Sequence, residues 1–505
     1  MLASIPSATL HGVEGRSVSV EVHVSNGLPG FTVVGLPDAA VRESRDRVRA
    51  ACLSSGLQWP LRRVTVNLAP SGVRKTGPGL DLPIAIGLLV ACGDLPDRSV
   101  DKTAFIGELG LDGTLRPVAG VVSLVDSIAA CGSRVVVVPA DSAGEAVLTG
   151  GCQVRGATTL GELVKMLKGS KAWSEVTTKR PSVTPVERTP DLADVKGQVV
   201  ARRALEIAAA GSHHLLLIGP PGSGKTMIAA RLGGLLPDLT HAESLEVSRI
   251  HSAAGVAIPG GGLPSRPPIR APHHGASEVA ILGGGASWLR PGEISLSHQG
   301  VLFLDELGEF PIAVLDLLRQ PLEEGVIRIC RAREVASLPS KFQLVAAMNP
   351  CPCGAGMRPG SCRCTDTMRA KYTRRLSGPL VDRFDLAVGL SRPEPEDLFS
   401  NVSPESSEEV AGRVAEARDL ARSRGVKANA DLPEHVLNEV APLRPEAAGM
   451  LERELRSGGL SARGLHRVHR VARTIADLDR SPAIERVHTA EALELRKARQ
   501  AIVGE

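Results

Sequence analysis

The chain has 505 residues, enough for roughly two to four domains that each bury a core. Its composition, 43% apolar and 23% charged, excludes a disordered chain, and its longest apolar run, residues 82–92, is about half the length of a bilayer-spanning helix. The net charge of +4 is too small to identify a nucleic-acid partner, and one Tyr, three Trp and seven Phe argue against a base-stacking platform.

The opening residues, MLASIPSATLHGVEG, lack a basic start followed by an apolar stretch, so we predict no secretory signal and a cytoplasmic protein with reduced cysteines. The next segments show the periods of strands and helices. Alternation of Val with small or polar residues predicts strands at 17–24, 64–68 and 134–139. Helical spacing predicts helices at 39–54 and 80–92. These elements predict an α+β domain over residues 1–168.

The chain then changes composition twice. Residues 169–190 are rich in Lys, Ser, Thr and Pro without periodicity, which predicts an exposed linker. Residues 191–395 predict an α/β domain with a parallel sheet: a helix at 198–211, a strand at 214–218, a helix from Lys225, and buried strands at 301–306 and 342–349. Helical segments at 407–424, 444–457, 461–478 and 488–502 predict an all-α domain over residues 396–505.

A glycine-rich turn follows the strand at 214–218 and matches the phosphate-binding loop pattern. It consists of Gly219, Pro220, Pro221, Gly222, Ser223, Gly224, Lys225 and Thr226. Glycines let backbone N–H groups turn toward phosphates, and the following helix presents the positive end of its dipole. Lys225 is predicted to neutralise phosphate charge and Thr226 to bind Mg²⁺ through its hydroxyl. The alternative is a chance glycine turn.

Polar residues end the next two buried strands. Asp305 and Glu306 follow the apolar run 301–304; Asp305 is predicted to bind Mg²⁺ and Glu306 to polarise the attacking water. Asn349 ends the following strand and is predicted to orient that water. The alternatives are a solvated acidic turn and an Asn that caps the turn before Pro350.

About eighty residues separate Lys225 from Asp305, more than a strand-helix-strand connection needs, which predicts an insertion. Residues 255–293 are rich in Gly, Pro and His, a composition typical of loops. His273 and His274 lack a clear metal-binding spacing and are predicted to be structural loop residues.

Four of the nine cysteines form two CxC pairs within one loop: Cys351, Cys353, Cys362 and Cys364. Thiolates on short knuckles can enclose a tetrahedral Zn²⁺, so a zinc site is predicted. An iron–sulfur cluster and four uncoordinated thiols remain open. The other five have apolar neighbours in the sequence and are predicted to serve packing: Cys52, Cys92, Cys131, Cys152 and Cys330.

Arginines recur at steps of three and four residues in the segment 461–478. Arg463, Arg467, Arg470 and Arg473 therefore share one face of the predicted helix. Part of this face is predicted to cover DNA and part to be solvated.

Long strings resemble AAA+ ATPases, and more closely the magnesium-chelatase-related ComM/YifB family: RAPHHGAS at 270–277, RPGEISLSHQGVLFLDEL at 290–307, NPCPCG at 349–354 and SGPLVDRFDL at 377–386. The resemblance implies an AAA+ P-loop core with an α-helical lid, and Mg²⁺-dependent ATP hydrolysis. It assigns Asn349 to sensor 1, Arg463 to sensor 2, and Arg383 to an arginine finger that enters the neighbouring subunit's site. Because head-to-tail contacts that close make rings, a hexamer is implied.

The same resemblance places the insertion and the hairpin at 327–333 toward the central channel of the ring. Arg328, Arg331 and Arg333 are then candidates for gripping DNA phosphates. The alternative is a solvated hairpin face.

Residues 1–168 resemble the proteolytic domain of Lon proteases, of the ribosomal S5 domain 2-like fold, through VNLAPSGVRKTGPGLDLPIA and FIGELGLDGTLRPVAG. Lon needs a serine nucleophile and a lysine base, and these positions hold Gly79 and Val122. The domain is therefore predicted to be structural or to contact DNA.

Three functions are compatible with these features. The first is a ring-shaped DNA motor, with helicase or branch-migration activity in recombination, transformation or repair. The second is a chelatase-type motor that remodels a protein partner, and the Lon-like domain and the cysteine loop count against it. The third is a protein unfoldase without protease activity.

Overall fold

The computed structural model describes residues 1–174, 190–256, 258, 262–285, 289–331, 334–355, 362–376, 378–399 and 404–499. Across these residues, no helix has both the length and the apolar character needed to cross a membrane.

The N-terminal unit mixes strands and helices. Its strands are β1 (Leu2–His11), β2 (Glu14–Ser25), β3 (Gly30–Val34), β4 (Arg63–Ala69), β5 (Thr103–Phe105), β6 (Glu108–Leu109), β7 (Leu115–Arg116), β8 (Val135–Pro139) and β9 (Gln153–Ala157). Its helices are α1 (Ala39–Arg42), α2 (Ser44–Ser54), α3 (Asp81–Cys92), α4 (Val121–Ala130), α5 (Ala143–Ala146) and α6 (Leu160–Leu167). The three strands and two helical segments predicted here are confirmed.

Two sheets organise this unit. One has the order β1-β2-β4-β3, with β3 and β4 parallel, and the other is the parallel set β5-β8-β9. In β2 every second residue from Val18 to Val24 is buried, as a strand with one face on a core requires. Helix α3 is buried along nearly its whole length and packs on β1 and β2, so the longest apolar run of the chain lies in the core of this unit. An S5 domain 2-like arrangement stays a prediction.

The central region contains strands β10 (Leu215–Ile218), β11 (Ile269–Arg270), β12 (Gly283–Gly284), β13 (Arg290–Pro291), β14 (Val301–Leu304), β15 (Val326–Arg331), β16 (Glu334–Pro339), β17 (Gln343–Met348) and β18 (Leu386–Gly389). Its helices are α7 (Val199–Gly211), α8 (Lys225–Ala229), α9 (Leu232–Leu235), α10 (His241–Ala254), α11 (Glu278–Leu282), α12 (Glu293–Leu296), α13 (Ile312–Leu317), α14 (Arg319–Glu324), α15 (Asp366–Thr373), α16 (Gly378–Val381) and α17 (Pro395–Phe399).

Five of these strands form one parallel sheet in the order β11-β14-β17-β10-β18. Every residue of β10, β14 and β17 is buried, which confirms the prediction of buried parallel strands. Since the strands are parallel, the loops that follow β10, β14 and β17 all emerge at one edge of the sheet. This edge, defined as the carboxyl edge, carries the phosphate loop, the acid pair and Asn349.

The C-terminal helices are α18 (Ser407–Ser423), α19 (Leu437–Val440), α20 (Pro445–Arg456), α21 (Ala462–Leu478) and α22 (Arg486–Glu494). Side chains begin two of them: Ser406 and Glu409 form a capping box for α18, and Ser461 accepts from the Gly464 N–H at the start of α21. Both helices pack on α7 through a shared apolar core. The helices predicted at 407–424, 444–457 and 461–478 are confirmed. The helix predicted at 488–502 ends at Glu494, and residues 500–502 lie outside the described residues.

The N-terminal and central regions are in direct contact. Val13 is buried in the core around β14 and β17, and Ile258 is buried in the core around α4. Between α4 and α10, Arg249 bonds to Asp126 at 2.6 Å. The divisions at 1–168, 169–190, 191–395 and 396–505 stay predictions, and residues 175–189 of the predicted linker lie outside the described residues.

Candidate functional site

The phosphate loop joins β10 to α8 at the carboxyl edge, and its glycines are needed for different reasons. Gly222 and Gly224 have φ values of 79° and 86°, in the left-handed region that favours glycine. A Cβ on Gly219 would lie 2.6 Å from the Ser223 hydroxyl and 2.7 Å from the Leu390 carbonyl, too close to be accommodated. A Cβ on Gly222 would meet open space. The loop is therefore an open cradle of backbone, as a phosphate group requires.

Lys225 extends into this cradle. Its ammonium donates to the carbonyl oxygens of Gly219 at 2.8 Å and Pro220 at 3.0 Å, and to the Asn349 Oδ1 at 3.2 Å. Burial lowers the pKa of Lys225, and the nearby carboxylates of Asp305 and Glu306 oppose that effect. The structure thus joins the lysine to Asn349, two residues that the sequence analysis assigned to the site separately.

Thr226 and Asp305 meet across the sheet edge. The Thr226 hydroxyl donates to the Asp305 Oδ2 at 2.7 Å, and the Asp305 Oδ1 accepts from the Glu306 N–H at 2.8 Å. The second bond fixes the orientation of the carboxylate. A hydroxyl and a carboxylate oxygen are ligands that Mg²⁺ takes together with waters and phosphate oxygens, so this pair fits a magnesium ion.

Glu306 has a partner that the sequence analysis missed. The His274 Nδ1 lies 3.1 Å from the Glu306 Oε2, and the Glu306 side chain is 57% exposed. The ring of His274 is edge-on to Phe310 and lies against His273, with ring centroids 4.0 Å apart. His274 reaches Glu306 because it follows β11, the neighbour of β14 in the sheet. The position of His274 beside Glu306 therefore argues against a purely structural role for this residue. Among the described residues, no hydrogen bond or ion pair joins His273 to either acid.

Arg383 and Arg463 lie at the opposite, amino edge of the sheet. Both line a cleft of about 930 Å³ whose wall includes Ser212, Gly300 and Ser340, residues that precede β10, β14 and β17. Arg383 is buried, forms an ion pair with Glu323, and donates to the Pro379 carbonyl. The side chain of Arg463 is 82% exposed, with a guanidinium nitrogen 4.0 Å from Glu323. Neither arginine is brought to Lys225 of the same chain.

The other three arginines of α21 form bonds with neighbouring parts of the same chain. Arg467 bonds to Asp385 at 2.7 Å, Arg470 donates to the Leu432 carbonyl at 2.9 Å, and Arg473 is buried beside Asp477 at 3.0 Å. The hypothesis that these residues cover DNA or are solvated is therefore wrong for Arg473, because α21 packs on neighbours over more of its circumference than the arginine spacing indicated.

The hairpin of β15 and β16 has one buried and one open face. Ile327, Ala336 and Leu338 are buried, whereas Arg328 is exposed and pairs with Glu324 at 2.6 Å. The hairpin touches the N-terminal unit, since the His11 Nε2 lies 3.3 Å from the Val335 carbonyl. Arg333 lies outside the described residues, and the channel-facing roles of Arg328, Arg331 and Arg333 stay predictions.

The four clustered cysteines converge. The Sγ atoms of Cys351, Cys353 and Cys362 are 3.4 to 3.7 Å apart, and all four Sγ atoms, including that of Cys364, lie within 4.8 Å of one another. The sulfur atoms of a tetrahedral site with Zn–S bonds of about 2.3 Å are about 3.8 Å apart, so the thiols fit a single zinc ion.

The five other cysteines differ in environment. Cys52 is buried, and Cys92 and Cys152 are partly buried, as packing residues are. Cys131 and Cys330 are exposed, so the packing prediction is wrong for both. Cys131 follows the last residue of α4. Cys330 lies on the open face of the hairpin, whereas its apolar neighbour Ile329 points to the other face.

The Lon-like positions carry no nucleophile. Val122 is fully buried in α4, and Gly79 lines an apolar cavity of about 140 Å³ with Thr9, Val118 and Ile329. Among the described residues that line this cavity there is neither serine nor lysine. The surroundings of Gly79 thus lack the pair of groups that Lon chemistry requires.

Comparisons with known proteins cover nearly the whole chain. Three family profiles match: subunit ChlI of Mg-chelatase over residues 20–142, magnesium chelatase subunit ChlI over 191–398, and its C-terminal region over 404–496. An uncharacterized protein of Mycobacterium tuberculosis is 46% identical, over 96% of this chain and 97% of its own. YifB of Escherichia coli is 45% identical, over 96% of this chain and 95% of its own. The competence protein ComM of Haemophilus influenzae is 42% identical, over 98% and 97%.

Proposed function

Because this chain belongs to the magnesium chelatase-like ComM/YifB family, whose AAA+ character indicates an ATPase, we propose that it hydrolyses ATP to move a ring along DNA. The observation that carries the proposal is the convergence of Lys225, Thr226, Asp305 and Glu306 at one sheet edge. Mixed α/β topology alone would not suffice, since one fold supports many functions.

In this proposal each residue has one task. Backbone N–H groups of the loop and Lys225 bind phosphate oxygens, and Thr226 with Asp305 holds Mg²⁺. When bound, Mg²⁺ neutralises charge on the transferring phosphoryl group. Glu306 orients the attacking water by accepting its hydrogen bond, and Asn349, next to Lys225, supplies a second polar contact.

We further propose that Arg383 and Arg463 serve the nucleotide of a neighbouring subunit. Their place at the amino edge, across the sheet from the phosphate loop of the same chain, supports action in trans. Action in trans requires head-to-tail packing of subunits, and we propose that these contacts close into a ring, a hexamer. Arg383 is paired with Glu323 in this structure, so assembly or nucleotide binding has to release it from that carboxylate.

DNA is proposed as the track of the motor, in recombination, transformation or repair. The name of the relative ComM, a competence protein, favours this assignment. Exposed Arg328 on the open face of the hairpin supports contact with phosphates, which is insensitive to base sequence and weakened by salt. The family profile named for magnesium chelatase favours a second candidate, a motor that remodels a protein partner; unfolding without proteolysis is a third.

The four-cysteine cluster is proposed to hold Zn²⁺. Four thiols within 4.8 Å of one another favour one metal ion over a polynuclear iron–sulfur cluster, whose inorganic core separates its thiolates.

The nine cysteines are all free of disulfides, which suits a reducing compartment such as the cytoplasm.

The test compares ATP hydrolysis with forked DNA, four-way DNA, single-stranded DNA and an unfolded polypeptide. We expect stimulation by DNA that declines with salt, and strand displacement that Glu306→Gln abolishes. Stimulation by the polypeptide alone would favour a protein track and exclude the DNA motor. Absence of hydrolysis under every condition would contradict the ATPase assignment itself.

A further inference from the structure

We infer that the four-cysteine cluster positions the nucleotide site, so that loading its metal sets the affinity of the protein for ATP. The inference rests on the zinc and ATP sites proposed above. Three independent contacts connect the cysteine loop to the phosphate loop, to Asn349 and to the segment that follows Glu306.

The first contact is between the cysteine knuckle and the phosphate loop. Gly354 follows Cys353, has a φ of 77°, and donates its N–H to the Cys351 carbonyl at 2.9 Å. A Cβ on Gly354 would lie 2.5 Å from the Cδ and 2.9 Å from the Cγ of Pro221. The turn that carries the first CxC pair therefore lies directly against the phosphate loop, with no room for a side chain between them.

The second contact runs along the strand before the cysteines. Asn349, which bonds to Lys225, precedes Cys351 by two residues. One residue earlier, the Met348 carbonyl accepts from the Gly219 N–H at 3.1 Å. The segment 348–354 thus touches the beginning and the middle of the phosphate loop, and the cysteines sit at the far end of this segment.

The third contact comes from the helix after the second CxC pair. Cys364 leads into α15, where buried Tyr372 packs on Gly308; a Cβ at Gly308 would collide with the Tyr372 ring. Gly308 lies two residues after Glu306, so α15 packs against the turn that carries the acid pair.

Metal binding would link the two CxC pairs and thereby connect the three contacts to one another. Zinc binding to four thiolates joins the two CxC pairs, whereas an empty set of thiols has no comparable attraction between them. Without the metal, the pairs Cys351–Cys353 and Cys362–Cys364 can separate. The contact of Gly354 with Pro221 and the contact of Tyr372 with Gly308 are then no longer held together. The metal therefore acts on ATP affinity without touching ATP.

The experiment uses the full-length protein. Bound zinc is measured by elemental analysis, and zinc is then released with a mercurial thiol reagent and restored by adding dithiothreitol with Zn²⁺, so that Mg²⁺ is left in place. Affinity for a fluorescent, non-hydrolysable ATP analogue is measured in each state. We expect one zinc per chain and a reversible loss of affinity of about tenfold or more, the size of one lost hydrogen bond to a charged group.

Variants separate the metal from general damage to the fold. Cys353→Ser and Cys362→Ser should lose zinc and nucleotide affinity, whereas Cys131→Ser and Cys330→Ser, matched controls at exposed cysteines outside the cluster, should change neither. Gly354→Ala should keep zinc, because all four thiols remain, yet bind the analogue more weakly. Far-ultraviolet circular dichroism identifies any variant that fails to fold, and the reagent experiment on the native chain decides independently.

Two results would overturn the inference. One is a protein purified without tightly bound zinc; the other is zinc-free protein that binds the analogue as tightly as zinc-loaded protein. Both differ from failure of the proposed function, in which the zinc-loaded native protein does not bind nucleotide and the inference falls with it.

Discussion

Replacement of His274 by alanine should raise the rate of ATP hydrolysis in the absence of DNA. The imidazole Nδ1 lies 3.1 Å from the carboxylate of Glu306, the residue proposed to accept a hydrogen bond from the attacking water. While this contact holds, one carboxylate oxygen is engaged by the ring and is less available to the water.

The magnitude follows from the exposure of the pair. The side chains of His274 and Glu306 are 35% and 57% exposed, so their contact is screened by solvent and is worth at most about 1 kcal/mol. Removing it increases the population of free Glu306, and hence the unstimulated rate, by up to about fivefold.

The assay compares steady-state hydrolysis with and without DNA in the native protein and in His274→Ala and His273→Ala. His273 is the matched control, because its ring lies against His274 and no hydrogen bond or ion pair is found between these two described residues, His273 and Glu306. We expect the ratio of stimulated to unstimulated rate to fall in His274→Ala alone, with unchanged affinity for the ATP analogue. If the unstimulated rate of His274→Ala drops to that of Glu306→Gln, the reasoning is refuted. His274 would then serve to orient the carboxylate of Glu306.

Three further outcomes are expected. Arg383→Ala should bind nucleotide but lose about a thousandfold in hydrolysis, and mixing it with Lys225→Ala chains should restore part of the rate, since each ring then contains sites with both groups; no recovery would contradict action in trans. Burial holds the pKa of His214 at about 4, and its Nδ1 accepts from the Leu344 N–H at 3.0 Å. A folded pKa below the unfolded value of about 6.5 means stability that is complete above pH 6.5 and is lost as the pH falls, about 2 kcal/mol by pH 5 in urea unfolding; a His214→Asn chain with the same acid sensitivity would exclude this residue as the cause. Leu217→Ala, at a fully buried position of β10, should lower the free energy of unfolding by about 2–5 kcal/mol, and a smaller cost in urea melts would show that the sheet core relaxes around the gap.

Much of this protein is readable from local sequence patterns. The run 301–304 followed by Asp305 and Glu306 predicts a buried strand with acids at its tip, and β14 ends at Leu304. The glycines of 219–224 predict a loop whose backbone turns toward a phosphate, and Gly222 and Gly224 have the positive φ values that such a loop uses. Such signals are local because hydrogen bonding and burial within a strand, helix or turn depend on residues a few positions apart.

Contacts between distant segments depended on the order of the strands in the sheet. His274 reaches Glu306 only because β11 lies beside β14, and a strand of two residues has no periodicity to predict it. Gly354 rests on Pro221 because the loops that follow the neighbouring parallel strands β17 and β10 emerge at the same edge of the sheet. Arg383 lies at the opposite edge because it precedes β18, and Arg463 reaches that edge from α21. The sequence by itself therefore determined which chemical group stands at each position. Tertiary packing decided which of these groups meet, because a local period carries no information about which strands become neighbours.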